Sequence, residues 1–313
     1  MNESFSLTSG LTLEYESLAK DYSVTYSNSP SEKPPAPGKP DMLNNKLASV
    51  FVEPRFSPFE NFLITCGFRF DHSTVYDEIV TPRAGISYNF DNHVFYLSYS
   101  EAFRAPKPWD YTDGLGNPSL LPERMKSIES SVSFFVTNGL KINFTGYINT
   151  LKNAFVKEQS STGYKWVNSG EANTKGVECA LKYANKSFKS VVNYTYTQSY
   201  NELENFIPEI SKHTINVGIT YSFCDYFIVN FRAHYIGRRE NPKFISTLND
   251  KYLKLCTVFH AAITMMKYKN FDAQLSVKNI FDIEYYHTSN RDPDRYRQPQ
   301  RTFILSVGYS INN

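Results

Sequence analysis

The chain has 313 residues and a net charge of +2, with a mean hydropathy of −0.43. So balanced a charge offers no field for nucleic acid, and there is neither a basic tail nor an acidic run. No apolar run of about 18 residues is present, so no transmembrane helix is expected, and Cys66, Cys179, Cys224 and Cys256 show no metal-like spacing.

The first residues, Met-Asn-Glu-Ser-Phe-Ser, lack the basic segment, apolar stretch and cleavage site of a secretory leader. The N-terminus is therefore read as truncated or internal. From residue 4 to 16 the chain alternates, with Phe5, Leu7, Leu11, Leu13 and Tyr15 on one face and Ser6, Thr8, Gly10, Thr12 and Glu14 on the other. That period of two is a strand's. A connector with Pro-rich residues 31–40 follows and cannot join a sheet ladder. Strands are predicted at 45–56 and 60–71, joined by the turn Ser57-Pro58-Phe59, and at 81–90 and 94–103. Four hairpins follow. They pair 125–137 with 140–157 across Asn138-Gly139, 165–184 with 188–199, 212–223 with 226–237, and 253–267 with 270–279. A last strand spans 301–311.

Every second connector is long: 17–44, 72–80, 104–124, 158–164, 200–211, 238–252 and 280–300. About fourteen alternating strands with short turns at one end and long loops at the other define an all-β, antiparallel, up-and-down transmembrane β-barrel. One face of each strand meets lipid and the other a wet lumen. Tyr and Phe, 23 and 24 residues, suit the membrane boundary and the lipid face.

Particular residues carry more than periodicity. Phe103-Arg104-Ala105-Pro106 is followed by Asn117-Pro118-Ser119-Leu120-Leu121-Pro122-Glu123. Then come Asn168-Ser169-Gly170-Glu171-Ala172, Lys175-Gly176-Val177-Glu178, Ile207-Pro208 with His213 and Asn216, Tyr235-Ile236-Gly237-Arg238-Arg239, and Lys278-Asn279-Ile280-Phe281-Asp282. In this order the boxes resemble those of TonB-dependent outer-membrane receptors, although Ser211 stands where that family usually has Pro. The resemblance covers residues 45–311 and implies part of a 22-stranded, plugged barrel. These residues correspond to its C-terminal portion, with the signal peptide, plug and TonB-interacting box absent. The implied location is the bacterial outer membrane.

The prolines fix φ and end the ladder at the outer rim, and Arg104 is placed to anchor its loop by charge-assisted hydrogen bonds. The family boxes are read first as setting barrel and loop geometry. Residues 107–116 hold no His, which argues against haem. Arg and aromatic residues in the loops suit an anionic, planar ligand. The candidates are Trp109 and Tyr111 in loop 104–124, Arg238 and Arg239 in loop 238–252, and Tyr285, Tyr286, His287, Arg291 and Arg295 in loop 280–300. The expected ligand is a scarce nutrient, an iron–siderophore complex or cobalamin.

No cofactor is implied, and no nucleophile elbow, metal triplet or phosphate loop points to an enzyme. The partners implied are outer-membrane lipid and lipopolysaccharide, the nutrient, and a TonB-type energy transducer reached only through the plug. Two alternatives stay open, a self-closed porin-like channel and an adhesive β-protein. The chain ends Tyr309-Ser310-Ile311-Asn312-Asn313, where outer-membrane barrels usually end on an aromatic residue, so insertion efficiency is in question.

Overall fold

The structure, a computed structural model, describes residues 4–19, 42–76, 78–111, 113–242, 251–268, 270–289 and 295–311. In chain order the strands are β1 (Phe5–Ala19), β2 (Met42–Phe56), β3 (Phe62–Ser73), β4 (Ile79–Phe90), β5 (His93–Arg104) and β6 (Glu123–Phe135). Next come β7 (Leu140–Ser160), β8 (Gly163–Ala184), β9 (Phe188–Asn201), β10 (His213–Cys224), β11 (Phe227–Ile236), β12 (Arg239–Glu240) and β13 (Tyr252–Leu253). The last are β14 (Cys256–Tyr268), β15 (Phe271–Lys278), β16 (Tyr286–Thr288), β17 (Arg295–Arg297) and β18 (Thr302–Tyr309). One 14-stranded sheet takes its strands in the order in which they occur along the chain, and β12–β13 and β16–β17 form two small ribbons. This neighbour-to-neighbour order is the up-and-down topology that the alternation predicts.

The chain divides into two compact units. One comprises Met1–Tyr88, Leu97–Ile128 and Asn149–Asn173, the other Asn89–Tyr96, Glu129–Ile148 and Thr174–Asn313.

In the first unit, register keeps like with like. Leu11 pairs with Val50, Val50 with Phe70, and Phe70 with Val80. One residue along, Thr12 pairs with Ser49 and Ser49 with Asp71. The polar face holds a hydrogen-bonded lattice. Asp71 is fully buried and accepts from Arg69 at 2.7 Å and Ser49 at 2.6 Å. Glu53 pairs with both Arg55 and Arg83, and Asn45 bridges Glu16 and Ser73. Each buried carboxylate thus has a cation and a second donor, which buried charge requires.

The second unit repeats the rule. Tyr221, Val229, Ile263, Leu275 and Leu305 form one apolar row across five strands. Thr220, Asn230, Ala262 and Ser276 run along the opposite face. The apolar rows are uncovered. On β18, Phe303, Leu305, Val307 and Tyr309 are 66%, 69%, 67% and 59% exposed, and Ile311 beyond it 79%. Leaving each such side chain in water forfeits roughly 1.5–3 kcal/mol. This short stretch alone would therefore lose about 10 kcal/mol, as much as a domain's whole stability. Among the described residues the buried apolar side chains are few (Ile79, Leu120, Ile236, Leu253, Cys256 and Val258) and buried polar ones outnumber them. Such an inverted distribution fits a solvent of hydrocarbon around the apolar faces.

Four loop readings change. Loop 158–164 is only a turn at Ser161-Thr162, because β7 and β8 run on to 21 and 22 residues. Loops 238–252 and 280–300 are partly ordered by the two ribbons. In loop 104–124, residues Pro108–Tyr111 form a 3-10 turn. The Pro-rich stretch 31–40 lies outside the described residues.

Candidate functional site

Two loop regions emerge, one in each unit. In the first, the family boxes are tied to one another. Arg104 at the end of β5 pairs with Glu123 at the start of β6, at 2.5 Å, and its guanidinium lies 5.3 Å from the Phe155 ring centroid. Glu123, 7% exposed, also accepts from the Phe155 amide at 2.9 Å. The loop between them is held at its middle. Asn117 donates to the Trp166 carbonyl and accepts from the Ser119 amide. Asn168 grips Leu121 twice, accepting from its N–H and donating to its C=O, both at 2.7 Å. Leu120 is buried, as is Pro106, whereas Ala105 and Phe103 are half-buried and Pro118 is exposed. Pro122 is buried beside Glu123. Asp113 accepts from the Tyr164 hydroxyl at 2.7 Å and the Trp166 indole at 2.9 Å. The Tyr164 hydrogen bond holds the Asp113 carboxyl below its usual range, with Trp166 and Lys157 adding to that. Lys157 sits over both rings, 4.1 and 4.8 Å from their centroids. Tyr111, on the 3-10 turn with Trp109, has a buried hydroxyl without a hydrogen-bond partner. Burial pushes its phenol up to about 12.

In the second unit a cavity of about 410 Å³ opens where β9, β10 and β11 give way to loops. Its walls include Phe206, Lys212, His213, Tyr235, Arg238 and Tyr252. Cations lie on rings here: Lys212 is 3.8 Å from the Phe206 centroid and Arg238 3.9 Å from that of Tyr252. Tyr194 hydrogen-bonds His213 at 2.9 Å, and Tyr196 packs against the same imidazole. Arg239 also borders the cavity, yet it is 5% exposed and donates to the Tyr286 carbonyl at 2.6 Å. Its role is to brace one ribbon against the other. Asn241, fully buried, helps by accepting from the Ser289 amide at 3.0 Å.

Behind this brace, Arg295 lies over the Tyr286 ring, Tyr286 bonds Glu284, and Tyr285 packs edge-on to His287. Burial, then the charges of Arg239 and His234, hold the His287 imidazole below its ordinary value. Of the loop candidates in this unit, Arg238 and Arg239 border the cavity, while Tyr285, Tyr286, His287 and Arg295 are not among its walls and Tyr286 is joined to it only through Arg239. Arg291 lies outside the described residues.

The remaining box residues shape backbone. Asn279 has φ +52°, is 2% exposed and spans the turn with bonds to Ile283 N and O. Asp282 accepts from the Arg301 amide at 2.7 Å, and Phe281 packs edge-on against Phe259. A Cβ on Gly176 would lie 2.5 Å from both the Tyr147 hydroxyl and the Tyr196 carbonyl, so no larger residue fits there. That close approach lets Tyr147 reach Thr197 at 2.8 Å. Glu178 is exposed.

Sequence reasoning missed Phe206, Lys212, His213, Tyr235 and Tyr252 as site residues. The available signal was Phe206, Lys212 and His213 lying within and beside one recognised box, Ile207-Pro208 with His213.

An uncovered apolar face, a polar lattice behind it and elaborated loops at one end define a β-barrel membrane protein of the outer-membrane type. A family model described as TonB dependent receptor-like, beta-barrel matches residues 2–280, and the chain belongs to that outer-membrane family. It is 25% identical over 271 residues to the iron-regulated outer membrane virulence protein of Vibrio cholerae, covering 77% of this chain and 42% of that protein. It is 21% identical to the probable TonB-dependent siderophore receptor PirA of Acinetobacter baumannii, over 88% of this chain and 44% of that one. The crystal structure of that siderophore receptor matches the fold with a TM-score of 0.81 at 18% identity, over 98% of this chain and 52% of that chain. A mutant of the ferric enterobactin receptor of Pseudomonas aeruginosa also gives 0.81 at 18% identity, over 98% and 51%. The chain thus spans about half the length of these relatives, or less.

Proposed function

We propose that this barrel portion serves a receptor that takes up an iron–siderophore complex, in preference to cobalamin. The observation that carries the reading is the cavity walled by Lys212, His213 and Arg238 together with Phe206, Tyr235 and Tyr252. Cations over rings bind an anionic, aromatic ligand by charge and by stacking. The relatives' names support it, since they include an iron-regulated outer-membrane protein, a siderophore receptor and a ferric enterobactin receptor. In this reading the apolar rows meet lipid and lipopolysaccharide. A TonB-type transducer acts through a plug region distinct from these strands. No reaction is catalysed. Among the described residues no cluster of His, Cys, Asp and Glu is arranged to hold a metal, so iron would arrive inside its chelator as cargo.

The test is radioiron uptake from a catecholate siderophore by iron-starved cells. Deleting the gene should abolish high-affinity uptake. Replacing Lys212 and Arg238 together with Ala should weaken binding about tenfold, the equivalent of roughly 1.4 kcal/mol. Unchanged uptake in the deletion strain would remove the siderophore reading.

A further inference from the structure

An anionic, aromatic chelate does not answer every wall of the cavity at the ends of β9, β10 and β11. Lys212 and Arg238 each cover one face of a ring, 3.8 Å from the Phe206 centroid and 3.9 Å from that of Tyr252. Much of the remaining apolar surface is aliphatic, because Ile207, Ile210 and Leu255 also line the cavity. Ile210 is 39% exposed and Leu255 59%. Aliphatic groups gathered at a loop cavity gain nothing from water and mark a place where an apolar partner is buried.

Register relates the cavity to the lipid-facing side of the sheet. On β10 the period of two puts Ile215, Val217, Ile219 and Tyr221 on one face. Tyr221 belongs to the uncovered apolar row that runs through Val229, Ile263, Leu275 and Leu305. His213, a cavity wall, stands two residues beyond Ile215 on that same face. Tyr235, another wall, shares the face because it pairs with Ile215. Thr197 lines the cavity too, yet it follows Tyr196, the partner of His213, and so takes the polar face. The cavity therefore straddles the rim. One side continues the face that meets lipid, and the other continues the wet face.

We propose that this cavity takes an amphiphilic iron chelate, an anionic head group that carries an acyl chain. The head lies against Lys212 and Arg238. The chain lies on Ile207, Ile210 and Leu255 and runs towards Ile215 on the membrane face. Charge complementarity selects the head, and continuity with the lipid-facing row selects the chain. Each methylene removed from water is worth roughly fourfold in affinity. The inference rests on the siderophore reading and narrows its substrate class.

The test compares radioiron uptake by iron-starved cells from a tris-catecholate siderophore and from the same compound bearing a dodecanoyl chain. The acylated form should reach half-saturation at a concentration at least about tenfold lower. Replacing both aliphatic walls, Ile210→Ser with Leu255→Ser, should shrink that ratio to below about threefold. Lys186→Gln, in the turn at the opposite end of β9 from the cavity, should leave the ratio as it is. Heat-modifiable gel mobility of outer-membrane fractions verifies folding. If the double variant does not fold, Leu255→Gln takes its place. Equal half-saturation by the two compounds overturns this inference and leaves the siderophore reading standing. An advantage that persists in the variant also overturns it, since the chain would then be dissolving in the bilayer and not resting on these residues. Uptake of neither compound would remove both readings together.

Discussion

At the scale of single residues, burial decides which member of an ion pair matters. Glu123 is nearly buried and answers two donors, whereas the Arg104 side chain is 59% exposed. Solvent screens the arginine's contribution, so Arg104→Ala should cost at most about 1 kcal/mol. Glu123→Ala removes the acceptor of the half-buried Phe155 amide and should cost roughly 1–3 kcal/mol. Urea unfolding from lipid vesicles ranks the two, and a larger loss at Arg104 would contradict the assignment. His287 gives a pH prediction, since it lies on a ribbon outside the membrane-spanning strands. Its folded pKa is depressed below 6.5, chiefly by burial. The unfolded chain therefore takes up the proton first, and ribbon packing weakens as pH falls from 6.5 towards the folded value. Above 6.5 both states are neutral and stability is flat. The imidazole resonance should titrate with a midpoint below 6.5 in the folded protein, and His287→Gln should flatten the pH response. A midpoint at or above 6.5 would refute this.

At the scale of elements, alternation made the fourteen sheet strands legible, with ends displaced by a few residues. It failed where the physical demand for it ends. Crossing the hydrocarbon takes about 9–11 residues of strand, but β7 and β8 have 21 and 22. Near their tip, Lys157-Glu158-Gln159-Ser160 is polar on both faces because no lipid face is required there. A polar strand then looks like a loop. The ribbons escaped notice for another reason, since two or three residues cannot display a period. Arg239 could not be recognised as a brace, because only the fold brings Tyr286, 47 positions away, to its guanidinium. The sided strand itself can be tested on β18. Leu305→Lys should destabilise by roughly 2–4 kcal/mol if that face lies in the bilayer midplane, while Ser306→Lys on the polar face should be nearly neutral. Equal effects in vesicle unfolding would count against the lipid assignment.

At the scale of the molecule, the family boxes were readable as a collinear series, and the fold shows what they hold together. Arg104 with Glu123, Asn168 with Leu121 and Asn279 with Ile283 each tie a strand end to a loop. The cavity was less legible, since its walls come from three strands and two loops. Lys212 and Arg238 rest on aromatic faces, and among the described residues neither is paired with a carboxylate. An arriving anion therefore has no counter-ion to evict and no ion pair to break before it docks. Capture at such a mouth is governed by long-range attraction, quick in dilute media and slowed as electrolyte thickens. On the proposed uptake reading, a habitat's salinity would then become part of how well such a receptor forages.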